Sequence, residues 1–181
     1  MSFSELIGNV PKWSSAKGID KSDARKQMLK LFEEFGELNA GIAKNNTTLI
    51  KDSIGDVMVV LTILCQQLNL DAREIFLTAD SLTIHHPKTL EIEVLSLITG
   101  SLIGKLSTAI LNRTNRTHGI KSNLIIREIV LKLHFISKYY DFTKEQCFET
   151  AWNEIKDRQG KMVDGVFVKA ADLEEVQDGK Q

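Results

Sequence analysis

Apolar residues in the first part of the chain recur at the spacing of an α-helix. Between Ser22 and Lys44 they return every three or four positions, which predicts one long amphipathic helix. A shorter amphipathic helix over Phe3–Val10 precedes it and is expected to end at Pro11, because proline has no N–H to continue the ladder. Asn45–Thr48 is typical of a turn, with one of its two threonines capping the next helix.

That next helix, predicted over Leu49–Leu68, is apolar on nearly every side after Asp56. A helix without a polar face belongs in the interior, so we expect it at the centre of a bundle. Another helix is predicted from Asp71 to Leu82, ahead of a break at His85–Pro87.

The second part of the chain continues the helical pattern. Its predicted elements are a helix over Thr89–Leu111, a polar loop over Asn112–Lys121, helices over Asn123–Tyr140 and Thr143–Arg158, and a small extended turn over Gly160–Val168. The residues after this turn are expected to be disordered. The fold class is all-α.

The two parts also match each other residue by residue. Val57–Phe76 lies over Ile129–Phe148 at a constant offset of 72 positions, and Phe35–Leu38 lies over Ile103–Leu106. This match predicts two repeated helical hairpins packed into one bundle. Chance similarity between two amphipathic hairpins is the alternative.

Composition narrows the class of protein. The chain has 181 residues, 43% of them hydrophobic, which fits one domain. A net charge of −1 argues against a protein built to bind nucleic acid or anionic lipid. The apolar run Val57–Cys65 is half the length needed to span a bilayer, the N-terminus lacks a signal-peptide pattern, and two cysteines suit a reducing compartment. We therefore expect a soluble cytoplasmic protein with no membrane and no specific nucleic-acid partner.

The first long helix carries a polar stripe beside its apolar one. At about 100° per residue, the stripe gathers four side chains, whereas Glu33 turns outward; the four are Gln27, Lys30, Glu34 and Glu37. Two carboxylates one turn apart make half of a site for a hard cation. By itself the pattern is weak, because glutamates on helices are usually just solvated.

The following helix adds acidic residues at its buried start. Asp56 heads the interior stretch, and a buried carboxylate needs a partner or a metal ion. Asp52 lies one turn earlier, where it either joins the same site or favours the helix N-terminus. Gly55 between them allows another backbone to approach closely.

Glu33-Glu34-x-x-Glu37, followed by Asp52-Ser53-x-x-Asp56, resembles the EExxE and ExxD motifs of MazG-like nucleotide pyrophosphohydrolases. The segment from Trp152 onward looks like the C-terminal part of phage-type members. The resemblance implies an all-α enzyme that hydrolyses nucleoside triphosphates to monophosphate and pyrophosphate. The resemblance also implies that the enzyme depends on Mg²⁺, with Mn²⁺ as the alternative metal.

Carried over by the resemblance, the metal ligands are Glu34, Glu37 and Asp56. Glu33 is a further catalytic acid that orients the attacking water or is merely solvated, and Glu37 is a candidate acceptor of the water's proton. The glutamate of ExxD falls on Ser53, so Asp52 is expected to take over as a metal ligand.

Among the substrate-binding candidates, Asn153, Lys156 and Arg158 are assigned through the resemblance, and the others are proposed from the chemistry of their side chains. Cationic and polar groups near the phosphates are Lys30, Asn153, Lys156, Arg158 and Lys161. Trp13 and Gln27 are candidates for the base. The alternatives are a solvated last turn for the C-terminal residues, packing for Trp13 and an exposed polar position for Gln27.

The organisation expected from all this is one domain over 1–181, with a catalytic metal-binding half (1–82), a degenerate second half (88–158) and a tail (159–181). The second half has lost its acids, since Leu102, Lys105 and Leu124 stand at the matching positions. We expect a monomeric pseudo-dimer or a homo-oligomer, in a host cytoplasm if the chain is phage-encoded. The alternative function is a non-catalytic nucleotide-binding or interaction module on the same scaffold.

Overall fold

The computed structural model describes residues 1–79, 91–112 and 117–173, with the backbone alone for 117–120. Within these ranges the chain is mostly helical, as predicted, with one small two-stranded sheet. Its helices are α1 (Phe3–Ala16), α2 (Ala24–Ala43), α3 (Thr47–Gln67), α4 (Ala72–Thr78), α5 (Ile92–Leu111), α6 (Thr117–Tyr139) and α7 (Lys144–Ile155); its strands are β1 (Gly160–Val163) and β2 (Val166–Lys169).

The first helix does not end at Pro11, and that prediction is wrong. The helix runs on to Ala16 with the proline inside it. A proline costs one backbone hydrogen bond, but Val10 and Ser14, on either side of it, are fully buried on the same face. The Gln66 side chain also donates a hydrogen bond to the Pro11 carbonyl at 3.1 Å. Tertiary packing therefore holds the helix together across the proline.

The helices α2 and α3 form the predicted hairpin, with a correction at the turn. The Asp23 side chain caps α2 by accepting from the Arg25 N–H at 2.9 Å. The α3 cap is Asn46, whose side chain accepts from the Leu49 N–H at 3.2 Å, and neither threonine caps the helix. Asparagine is at least as good an N-cap as threonine, and it stands one residue earlier.

The third helix occupies the centre of the bundle, as its apolar sequence predicts. Every side chain over Val57–Cys65 is buried. Helix α7 lies against α3 at Gly55, where an added Cβ would come within 2.2 Å of the Cys147 carbonyl oxygen and 2.8 Å of the Ala151 Cβ. The expected close backbone approach at Gly55 is confirmed.

Both cysteines are free and buried, as expected for packing residues. Burial raises the pKa of the Cys65 thiol and of the Cys147 thiol to about 12, so each stays protonated near neutral pH.

The second helical hairpin, formed by α5 and α6, differs from the predicted bounds mainly at its ends. Helix α5 begins at Ile92, and α6 already begins at Thr117, so the loop predicted to reach Lys121 is wrong from Thr117 onward. Polar sequence alone does not separate a loop from the first turns of a helix. Helix α7 starts where it was predicted, with Thr143 as its N-cap, but it ends at Ile155 rather than at Arg158. The predicted end of α4 at Leu82, the break at His85–Pro87 and the expected disorder after residue 173 lie outside the described residues.

The two hairpins pack into one bundle. Helix α2 contacts α5, α3 contacts α6, and α7 lies against α3. Their buried side chains form one continuous hydrophobic cluster. Whether the hairpins superpose as repeats stays a prediction.

Helix α5 is long and apolar enough to cross a bilayer, judged by its length and composition, with a mean hydropathy of 1.7. Among the described residues, the segment that meets this criterion is therefore α5 and not the helix that contains the apolar run Val57–Cys65. A core helix meets it too, and Leu102, Ile103 and Leu106 of α5 are buried in the bundle. The expected cytoplasmic location stays a prediction.

The glycine-rich segment after α7 folds as a β-hairpin, which confirms the predicted extended turn. Val163 pairs with Val166, and the two residues between them, Asp164 and Gly165, have φ of 50° and 76°. Positive φ at both central residues is the type I′ geometry that Asp-Gly favours.

Candidate active site

A cleft lies between the first hairpin of helices and the C-terminal β-hairpin. Helices α2 and α3 contribute most of its charged side chains, and the β-hairpin lies across it. The cleft has a volume of about 360 Å³. This is within the range of small-molecule sites. Seven of the predicted site residues line it: Trp13, Gln27, Lys30, Glu33, Glu34, Asp56 and Arg158.

On α2, Lys30 forms ion pairs with two of the predicted acids. Its Nζ lies 2.7 Å from a Glu34 carboxylate oxygen and 2.9 Å from a Glu33 oxygen. Burial lowers the pKa of Lys30, but the hydrogen bonds and charges of Glu34 and Glu33 outweigh it, so the pKa is raised overall. Lys30 therefore stays protonated, and its ion pair holds the buried Glu34 carboxylate at the edge of the cleft.

On α3, Asp56 is a half-buried carboxylate among like charges. It hydrogen-bonds to none of the described residues. Burial raises its pKa to about 7, and the charges of Glu34, Asp52 and Glu154 add to the rise, while Arg158 opposes it. A carboxylate in these surroundings gains from a nearby cation.

Three carboxylates within the described ranges lie close to one another, two of them predicted from the sequence and one not. Oxygens of Asp52, Asp56 and Glu154 all lie within 4.8 Å of one another. Glu154 comes from α7 and forms an ion pair with Arg158. Burial, followed by the charges of Glu154 and Glu34, raises the pKa of Asp52, while Arg158 opposes the rise.

Glu37 lies outside the cleft but belongs to the same electrostatic neighbourhood. Its side chain is exposed, and its pKa is raised by partial burial and by the nearby Glu34 carboxylate, with smaller effects of Glu33 and Asp52. Convergence of Glu34, Glu37 and Asp56 on one ion stays a prediction. All the acids offer oxygen ligands, which is the donor set that Mg²⁺ prefers.

Ser53 occupies the position where the resembled motif has an acid. It is fully buried, and its hydroxyl oxygen has no hydrogen-bond partner in the described structure. The acids at this end of α3 are instead Asp52 and Asp56, joined by Glu154 from α7. The sequence did hold a signal for Glu154, because it stands four residues before Arg158 in the segment already assigned to the substrate.

The C-terminal candidates separate into one residue inside the cleft and three outside. Arg158 lines the cleft. Asn153 is exposed on α7 and accepts a hydrogen bond at 3.0 Å from Lys156, which is exposed directly after the helix. Lys161 is exposed on β1. In this arrangement only Arg158 is in place to contact a molecule in the cleft.

The β-hairpin supplies cleft residues that sequence reasoning did not foresee. Phe167 on β2 contacts Trp13 edge to face, with ring centroids 5.9 Å apart. Trp13 thus packs and lines the cleft at once, and its indole N–H is buried without a hydrogen-bond partner in the described structure. The unforeseen lining residues include Lys26, Gly165, Val166, Phe167, Val168, Lys169 and Asp172.

Comparison with known proteins gives one informative match. An uncharacterized 18.2 kDa protein from the rep-hol intergenic region of Haemophilus phage HP1 is 46% identical over 69 residues. The match covers 38% of this chain and 42% of that protein, so the chain spans less than half of its relative. No family model and no solved structure matches.

Proposed function

We propose that this protein hydrolyses nucleoside triphosphates to nucleoside monophosphate and pyrophosphate with the help of Mg²⁺. The observation that carries the proposal is the gathering of carboxylates from α2, α3 and α7 beside one cleft, together with two cations, Lys30 and Arg158. The resemblance of the α2 and α3 motifs to MazG-like pyrophosphohydrolases supports it.

The acids have the chemistry to hold a hard cation. Glu34, Asp52, Asp56 and Glu154 would hold Mg²⁺, with Glu37 beside them. When bound, the ion supplies positive charge that neutralises the phosphates and lowers the pKa of a water. Without it, a triphosphate would face several carboxylates of its own sign.

The protein's own residues have separate tasks in this reaction. Arg158 is placed to contact phosphate oxygens, because its side chain lines the cleft beside the acids. Lys30 holds Glu34 in place and adds positive charge near the departing pyrophosphate. Glu37, an exposed acid beside the group, is the candidate to accept the proton of the attacking water.

The burial pattern supports the proposal that the second half is a degenerate repeat. Moving each buried position of α2 forward by 68 residues, the offset of Phe35 to Ile103, gives a buried position of α5. The pairs are 24 with 92, 27 with 95, 28 with 96, 31 with 99, 34 with 102, 38 with 106 and 41 with 109. If the halves are repeats, the apolar side chain of Leu102 would occupy in the second half the place that Glu34 has in the first.

The direct test is pyrophosphate release from a panel of nucleoside triphosphates. We expect release with Mg²⁺ or Mn²⁺ and none with excess EDTA. Purified protein that binds a nucleotide tightly, yet releases no pyrophosphate with either metal, would contradict the proposal. That result would support the alternative of a nucleotide-binding module, which the serine at position 53 favours.

Glu154→Gln is expected to weaken the response to Mg²⁺. Glu154 is proposed to supply, directly or through a water, the acid that Ser53 lacks. Loss of such a group typically costs about 10- to 100-fold in metal affinity. The measurement is the Mg²⁺ concentration at half-maximal rate. The control is Glu149→Gln on the same helix, which removes only an exposed ion pair with the N-terminus. Identical Mg²⁺ curves for the two variants would exclude Glu154 from the site.

A further inference from the structure

The cleft has two chemically different ends. Glu34 and Asp56 mark the acidic end. Seven residues away lie Gln27 on α2 and Ile63 on α3, about 10 Å along each helix axis. Since the two helices run antiparallel, Gln27 and Ile63 lie at the same end, opposite the acids.

The side chains at this second end are largely apolar and aromatic, and the polar ones that line the cleft there are Ser22, Lys26 and Gln27. Trp13, Val60, Ile63 and Phe167 form its walls. Gln27 also lines it, is only 8% exposed, and makes no side-chain hydrogen bond to any described residue. Because Gln27 lines the cleft, its side-chain amide can both donate and accept hydrogen bonds with the polar edge of a ligand held there.

The β-hairpin holds Phe167 over this end. The Phe167 ring lies across Gly160, where an added Cβ would be 2.7 Å from the ring. At the hairpin tip, a Cβ on Gly165 would be 3.0 Å from the Lys26 Nζ. The hairpin therefore reaches from Trp13 on α1 to Lys26 on α2. A two-stranded hairpin is marginal alone, so these contacts fix its position.

We infer that Phe167 is the stacking surface for the nucleobase, and that the hairpin completes a nucleobase subsite within a single chain. The inference rests on the proposed function, because it takes the acidic end as the phosphate end. A nucleotide carries the matching chemistries: phosphates at one end, and at the other a flat aromatic ring with donors and acceptors on its edge. The ring would stack on Phe167, and its edge would meet the Gln27 amide.

The test compares Phe167→Ala with Met162→Ala. Met162 is the cross-strand partner of Phe167, but it packs near Gly18 and does not line the cleft. We expect Phe167→Ala to raise KM for nucleoside triphosphates roughly 10-fold, the effect of losing one stacked ring, with kcat unchanged. Phe167→Trp should keep the wild-type KM. Inhibition by inorganic tripolyphosphate, which has no base, should not change.

A binding measurement separates this inference from the proposed hydrolysis. In EDTA and a Trp152→Phe background, nucleoside 5′-monophosphates should quench the fluorescence of Trp13, and ribose 5-phosphate should not. Quenching that Phe167→Ala weakens supports the subsite even if no triphosphate is hydrolysed. Equal effects of Phe167→Ala and Met162→Ala, or equal weakening of nucleotide and tripolyphosphate binding, would overturn it.

Discussion

Asp56→Asn is expected to abolish most turnover while making the metal-free protein more stable. The substitution removes a ligand from the centre of the acidic group, and losing one electrostatic contact at a reacting centre costs about 100- to 1000-fold in rate. It also removes a half-buried charge that faces Asp52, Glu154 and Glu34. Opposite effects on activity and stability are typical of a residue kept for function.

The stability effect depends on pH in a defined direction. Burial, and then neighbouring carboxylates, raise the pKa of Asp56 from an ordinary 3.8 to about 7. Between these values the folded protein binds more protons than the unfolded chain. Protonation of Asp56 therefore stabilises the folded state fully below about pH 4, and this stabilisation is lost as the pH rises to about 7. At pH 8 the asparagine variant should unfold with a higher free energy than wild type, on the order of 2–4 kcal/mol.

Urea unfolding at pH 5 and pH 8, in EDTA, measures this effect. The difference between variant and wild type should be larger at pH 8, and added Mg²⁺ should stabilise wild type more than the variant. Asp141→Asn is the matched control, because Asp141 is exposed and asparagine tolerates its φ of 59°. A variant that hydrolyses nucleotides at the wild-type rate would remove Asp56 from the site.

Most of the fold could be predicted because its helices follow local apolar spacing. The burial of α3 follows from a stretch with no polar face, and the α2–α3 turn follows from Asn45 and Asn46. The extent of α1 could not be predicted, because the burial of Val10 and Ser14 and the hydrogen bond from Gln66 to the Pro11 carbonyl override the local effect of Pro11. The start of α6 was missed for a related reason: polar residues suit a loop and a helix end equally.

The candidate site likewise contains residues that local sequence could predict and residues that it could not. Glu34, Asp52 and Asp56 stand on neighbouring helices joined by a short turn, so their spacing alone brings them near one another. Glu154 and Phe167 are about a hundred residues away in the chain. Their place beside the cleft depends on how α7 docks on α3, which no local pattern reveals.

That docking can be tested at Gly55. A methyl group there would lie 2.2 Å from the Cys147 carbonyl oxygen and 2.8 Å from the Ala151 Cβ, so α7 must move as a body. We expect Gly55→Ala to destabilise the protein by about 3 kcal/mol, despite the better helix propensity of alanine. Because Glu154 lies on α7 and Arg158 follows three residues after the end of α7, the shift should also lower turnover, by about 100-fold for a displacement near 1 Å.

Gly36→Ala provides the matched control on the neighbouring helix. An added Cβ at Gly36 meets no atom within 4 Å, so only the gain in helix propensity remains, about 0.5–1 kcal/mol of added stability. For Gly55→Ala, the melting temperature and the rate of pyrophosphate release should therefore both fall, and the rate should fall further than the loss of folded protein explains. For Gly36→Ala, both should stay near or above the wild-type values. If Gly55→Ala loses stability but the folded protein keeps full turnover, the position of α7 does not control the reaction, and Glu154 and Arg158 lose their assigned roles.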